Sequence, residues 1–252
     1  MRLAEWLKRR FLTDDTAPVG TIIGFNPQWT SSAVLGASPG VVYIESLGGT
    51  ISGTPVDITP SSPSNNTWYH VYVYSSDGTT AGTPTLEAST TAPVAFATPA
   101  GFARSKTGDT SRRYLYSART NGSGQFYQFA CDQQGLFKWK NQNLSGSPFR
   151  VLSAGSATSS TNVDCSAVVP TTARSIFLEI VNTSTTTGVF VTSGDVTATS
   201  TDYELECAAV PAAGAIIVFG FIGCDASQTL NYLNSTGGGA VYLDVCAFNL
   251  QR

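Results

Sequence analysis

The chain has 252 residues, a formal net charge of −3 and a pI near 5.1, a balance unlike that of nucleic-acid binders, which gather Lys and Arg on one face. Charged residues make up only 12%, whereas Ser and Thr together number 60 and Gly 24, so hydroxyls and backbone must supply much of the polar surface and the composition favours strands and turns over helices. No run of 18 apolar residues offers a membrane span, and Glu5 with Lys8, Arg9 and Arg10 interrupts any signal-peptide-like start, so the expectation is a soluble chain made in a reducing compartment.

The first element, "MRLAEWLKRRFL", is the only segment with helical period: Leu3, Trp6, Leu7 and Phe11 fall at i, i+3, i+4 and i+8. Lys8, Arg9 and Arg10 sit where the C-terminal end of such a helix favours cations, and Pro18 prevents its continuation. A helix this short is marginal alone, so it must pack on something. Three partners are open: a groove on another subunit, with the basic side meeting acidic neighbours; its own β domain; or a membrane surface. The first makes Leu3, Trp6, Leu7, Lys8, Arg9, Arg10 and Phe11 a docking segment.

From Thr21 onward the chain reads as short strands parted by Gly, Pro, Ser and Asn clusters. Predicted strands cover residues 21–25, 40–45, 68–75, 113–120 and 124–131, then "GLFKWK". After a Ser/Thr/Gly-rich stretch at 153–161 they cover 162–169, 174–182, 188–192, 202–210, 215–221 and 240–249. The expected fold is all-β: two antiparallel β-sandwich or jelly-roll-like modules, residues 21–152 and 153–252, after a helical anchor and linker at 1–20; one continuous sandwich is the alternative. The two parts differ in charge, with 12 Lys/Arg against 9 Asp/Glu in residues 1–150 and 2 against 8 in the remainder. That asymmetry suits a contact between the halves or between copies.

In "TWYHVYVYSS" both alternating faces are largely apolar, as in a central strand covered on both sides. In "RRYLYSARTNGSGQFYQF", Tyr114, Tyr116 and Ala118 are expected on one face and Arg113, Leu115 and Arg119 on the other, with Asn121 to Gly124 turning the chain into a second aromatic strand.

Catalytic motifs are weak. Gly36-Ala37-Ser38-Pro39-Gly40 has the spacing of a nucleophile elbow, but the residue after the serine supplies an oxyanion N–H there, and Pro39 has none. His70 is the one histidine and lies within a strand, where a hydrogen-bonded packing role is the simpler reading. Glu179, Glu204 and Glu206 carry no signature of a glycosidase pair, no phosphate-cradling Gly loop precedes a helix, and no catalytic, cofactor-binding or metal-binding residue is assigned. Cys131, Cys165, Cys207, Cys224 and Cys246 are widely spaced without a Cys-x-x-Cys pair and mostly flanked by apolar residues, as expected of reduced structural thiols. Surface recognition is assigned to Trp139, between two lysines, and to Arg112, Arg113 and Arg119 of the basic segment; Trp29 and Trp68 are further aromatic candidates.

Taken in order, "NNTWYHVYVYSSDG", "STTAPV", "RRYLYSARTNGSGQFYQF" and "VVPTTARSIFLEIVN" resemble a pattern in virion proteins of tailed bacteriophages, strand-rich fibre, collar or head-decoration components. The resemblance covers roughly residues 60–190. It implies a structural protein of the phage particle, made in the bacterial cytoplasm, oligomeric and often trimeric, with no catalytic residues to carry over. The expected function is a non-enzymatic virion component docked to other virion proteins by its N-terminal segment, with no nucleic acid or membrane span. The alternative is a receptor- or carbohydrate-binding module of a phage tail that meets a host surface glycan; a hydrolase ranks last.

Overall fold

The alternating apolar segments fold into β-strands throughout the structure, a computed structural model that describes residues 18–97, 101, 103–210, 214–237, 239–250 and 252. Among the described residues there are twenty strands, one 3-10 turn at Glu45–Leu47 and no α-helix. The helix expected over residues 1–12 lies outside them. The chain divides into two units, Leu136–Leu250 forming the second and the chain before it, with the last two residues, the first. The division expected after residue 152 falls inside a strand of the second unit.

In the first unit β1 (Ile22–Gly24), β2 (Pro27–Trp29), β3 (Leu35–Ala37), β4 (Gly40–Ile44) and β5 (Gly49–Gly53) precede β6 (Trp68–Ser75), β7 (Pro84–Ser89), β8 (Pro93–Ala95), β9 (Arg104–Lys106), β10 (Asp109–Arg119) and β11 (Phe129–Cys131). They form a three-stranded sheet ordered β1-β4-β5, a β2-β3 hairpin and a five-stranded sheet ordered β7-β6-β10-β9-β8. The two-sided apolar pattern of β6 has its physical reason here: it lies between β7 and β10 and buries Tyr69, Val71 and Val73 on one face and His70 and Tyr72 on the other.

The faces of β10 differ from expectation. Tyr114 opposes Tyr72 but Tyr116 opposes Val71, so the ladder shifts register at Leu115. This bulge sends the two tyrosines to opposite faces. The return arm also departs from a regular hairpin. Asn121 Oδ1 accepts the N–H groups of Ser123 and Gln125 and Gly124 adopts φ 72°, but only Thr120 and Phe126 bridge across the turn. Phe126 then donates its N–H to Ser32 O and packs edge-on against Tyr69, which leaves the strand expected at 124–131 confined to β11.

The second unit contains β12 (Leu136–Trp139), β13 (Arg150–Gly155), β14 (Thr161–Asp164), β15 (Ala173–Asn182), β16 (Val189–Ser193), β17 (Leu205–Cys207), β18 (Ile216–Gly223), β19 (Thr229–Asn234) and β20 (Val241–Leu250). The path β12-β20-β15-β18, with β13 also paired to β20, makes the larger sheet, and β14-β19-β16-β17 the smaller. In β15, Ile176, Leu178 and Ile180 are fully buried while Phe177, Glu179 and Val181 alternate with them on the outer face. Leu243, Val245 and Phe248 of β20 complete that inner row, and Val189, Val191 and Leu230 fill the core from the smaller sheet.

Candidate interaction surfaces

The residues assigned to docking, Leu3, Trp6, Leu7, Lys8, Arg9, Arg10 and Phe11, lie outside the described residues. Of those assigned to surface recognition, two are interior. Trp139 is 5% exposed, with its ring edge-on to Phe137, Phe149 and Phe248 at 5.3 to 5.8 Å. Its two lysine neighbours turn away because alternate residues of a strand face opposite sides. Arg113 is fully buried; it donates to Arg104 O and Gly20 O and stacks over Phe96. Burial, with a smaller push from Arg252, lowers its guanidinium to about 10, against the pull of Glu45.

Arg112 and Arg119 remain partly exposed but engaged. Arg112 donates to Glu87 at 2.7 Å and lies 3.8 Å above the Tyr74 ring, while Lys106 binds the other oxygen of Glu87. Burial would raise the Glu87 carboxyl, but hydrogen bonds and charge from Lys106 and Arg112 together hold it below its ordinary value. Arg119 sits over Trp68 at 5.7 Å. A cleft of about 410 Å³ bordered by Ile22, Ile23, Gly24, Asn26 and Gln133 has its cation, Arg252, already donating to Phe25 O and Asn26 Oδ1.

The serine and the histidine also have separate partners. Ser38 Oγ accepts the Asn26 N–H and His70 Nδ1 lies at Ser117 Oγ. All five cysteines are unpaired, and burial raises their thiols, to about 12 for Cys131, Cys224 and Cys246. Among the described residues, no three His, Cys, Asp or Glu side chains are grouped to hold a metal ion, and no helix is long and apolar enough to cross a membrane.

The surface that stands out was not assigned from sequence. Ile217, Phe219 and Phe221 on β18 are 51%, 55% and 47% exposed, a row of large apolar side chains on one face of one strand. Phe177 of β15 packs against both phenylalanines, with ring centroids 6.1 and 4.9 Å away. Polarity rises away from β18: Glu179 shares β15 with Phe177, and on β20 Asp244 is held by a bidentate contact with Arg150 at 2.7 to 2.8 Å.

The ladder phase shows what β18 offers along its other edge. It pairs with β15 from Ser175↔Gly223 to Asn182↔Ile216 without a register break, and just beyond, the Cys224 N–H donates to Arg174 O. Antiparallel pairs alternate between bonded and non-bonded, so the even-numbered residues of β18 bond to β15 and the odd-numbered ones direct N–H and C=O away from it. The Gly223 N–H is accordingly taken by Glu204 Oε2 at 2.6 Å. Among the described residues no strand pairs with that edge, which lacks the Lys, Pro or bulge that commonly protects one.

No family model, curated protein or solved structure matches the chain.

Proposed function

We propose that the protein is a non-enzymatic structural component of a bacteriophage particle, of the fibre, collar or head-decoration kind. The observation that carries this reading is the uncharged strip of Ile217, Phe219 and Phe221, a contiguous exposed apolar patch of the kind that often serves as an interaction site. The resemblance of residues 60–190 to phage virion proteins and the low charge content support the same reading.

Each unit is read as a β-sandwich, jelly-roll-like module, supported in the second unit by two sheets that each contribute a buried apolar row. Leu3, Trp6, Leu7 and Phe11, with Lys8, Arg9 and Arg10, are assigned to attachment to other virion proteins, in a homo-oligomer. The receptor- or glycan-binding alternative loses its chosen anchor with Trp139 in the core. Trp29 and Trp68 are half-buried and engaged, Trp29 Nε1 donating to Phe126 O and Trp68 lying beneath Arg119. Deleting residues 2–12 is expected to leave a folded protein absent from purified particles; incorporation at the wild-type level would overturn the docking assignment.

A further inference from the structure

We infer that β18 is the edge through which two copies of this chain pair antiparallel, about a two-fold axis at Phe219. The larger sheet of the second unit thereby runs continuously from one copy into the other. This deepens the assembly reading by naming one partner of the strip's free edge, and rests on it only for the premise that the chain assembles through the strip.

The register follows from the hydrogen-bonding groups. The outward N–H and C=O groups of Ile217, Phe219 and Phe221 form the open part of the edge, and Glu204 closes it at Gly223. Phe219 is the midpoint of that open stretch. Pairing about it sets Phe219 against its own copy and Ile217 against Phe221 of the other, and every one of these pairs is of the bonded type, exchanging two hydrogen bonds. The side chains of all of these residues project on the outer face, so each apolar residue meets an apolar one. Aromatic and β-branched cross-strand pairs of this kind are favourable.

Charge favours a second copy over a ligand laid across the face. β18 carries no ionisable side chain, Glu179 is one strand inward, and Glu204 caps the edge at Gly223, beyond the three pairs. In the paired arrangement the two Glu179 carboxylates are three strand spacings apart, about 14 Å, beyond the Debye length of about 10 Å at 0.1 M salt. Edge pairing also leaves Glu179 in water. A partner covering the face would bury it, and burial is already the main cause raising its carboxyl, followed by Asp244. An unrelated strand could make the same backbone bonds, but nothing would require its side chains to match at every pair.

The area sets the strength. With aromatic side chains offering about 150–250 Å² each and roughly half of that exposed here, the strip has about 300 Å² per copy, of which edge pairing covers only the flanks that meet. A standard stable interface uses about 800 Å² per partner, so this edge alone supports weak, concentration-dependent pairing. High local concentration in a particle suits that.

Sedimentation of the full chain from micromolar to millimolar concentration tests the pairing. The weight-average mass should rise toward twice the monomer value, and Phe219→Arg, at a half-exposed position beside Phe177, should keep the monomer mass while still unfolding in one cooperative transition. Oxidative cross-linking tests the register, because facing bonded residues have Cα atoms about 5.5 Å apart, within disulfide range, whereas the two Ile217 positions are about 14 Å apart. Phe219→Cys should therefore give covalent dimer at least tenfold faster than Ile217→Cys, with the native cysteines an equal background in both.

A wild type that stays monomeric, a dimer or trimer that survives Phe219→Arg, or equal cross-linking of the two cysteine variants would overturn the inference. The virion reading fails separately: monomeric protein that still enters particles removes the edge alone, and dimer lost on Phe219→Arg upholds the edge even if protein lacking residues 2–12 is still incorporated.

Discussion

His70 Nδ1 lies 2.8 Å from Ser117 Oγ, at a position where the two residues directly oppose each other across the β6–β10 ladder. The same hydroxyl is 2.8 Å from the Tyr114 phenol, so the imidazole belongs to a small buried polar network. Burial lowers His70 from 6.5 to about 4, and the folded protein holds it neutral. Below 6.5 the unfolded chain takes up a proton that the native state refuses, so stability is full above that pH and falls as pH drops toward about 4. The loss attributable to this group is about 3 kcal/mol across that window. Urea midpoints measured through it should fall more steeply for wild type than for His70→Gln; parallel curves would show that another group is responsible.

Arg150 and Asp244 form the second buried polar contact with a directional consequence. The carboxylate is 2% exposed at its side chain, whereas the guanidinium is 22% exposed and lies 4.5 Å over the Tyr242 ring. Arg150→Ala strands a buried anion and should cost about 3–5 kcal/mol. Asp244→Ala leaves a cation that can turn to water, so it should cost about half as much or less. Chemical denaturation of the two variants reads the asymmetry directly, and equal losses would contradict it.

Trp139→Ala should act on stability rather than recognition. The side chain closes an aromatic cluster in which Phe137 stacks on Phe248 with centroids 4.8 Å apart, and truncating such a ring costs about 3–5 kcal/mol. A variant that melts like wild type but loses affinity for a host glycan would return Trp139 to the surface role.

Strands were legible where period-2 apolar patterning is strong: β6 matches its predicted bounds, and β15 and β20 lie within one residue of theirs, but β2, β3, β5, β7, β8, β9, β13 and β19 fall outside every predicted segment. The same rule, applied to Phe137-Lys138-Trp139-Lys140, places both aromatics on one face and both lysines on the other, so the interior position of Trp139 was available from sequence. The bulge at Leu115 was not, since an inserted residue leaves the one-dimensional pattern intact and shows only against the partner strand. Nor was the candidate edge. "IIVFGFIG" is apolar or Gly at every position, which predicts burial on both faces; its place beside β15 alone is a property of the topology.

The Gly36-Ala37-Ser38-Pro39-Gly40 motif makes its prediction through the glycine. Gly24, at φ 72°, and Gly40 oppose each other in the β1–β4 ladder, and a Cβ on Gly40 would come 2.5 Å from both Ile23 O and Phe25 N. Ile23 lies in β1 and the Phe25 N–H is bonded to Pro39 O, so these backbone atoms cannot swing aside as a side-chain tip can. Gly40→Ala should therefore cost about 3 kcal/mol, the upper part of the overpacking range. Ser38→Ala removes only the hydroxyl that accepts the Asn26 N–H at 2.9 Å, a contact of about 1 kcal/mol. A nucleophile elbow would give the opposite order of importance, with the serine indispensable to turnover and nearly silent in stability. Thermal melts of the two variants separate these roles: a Gly40→Ala protein as stable as Ser38→Ala would show that close packing of β1 on β4 is not why glycine stands there.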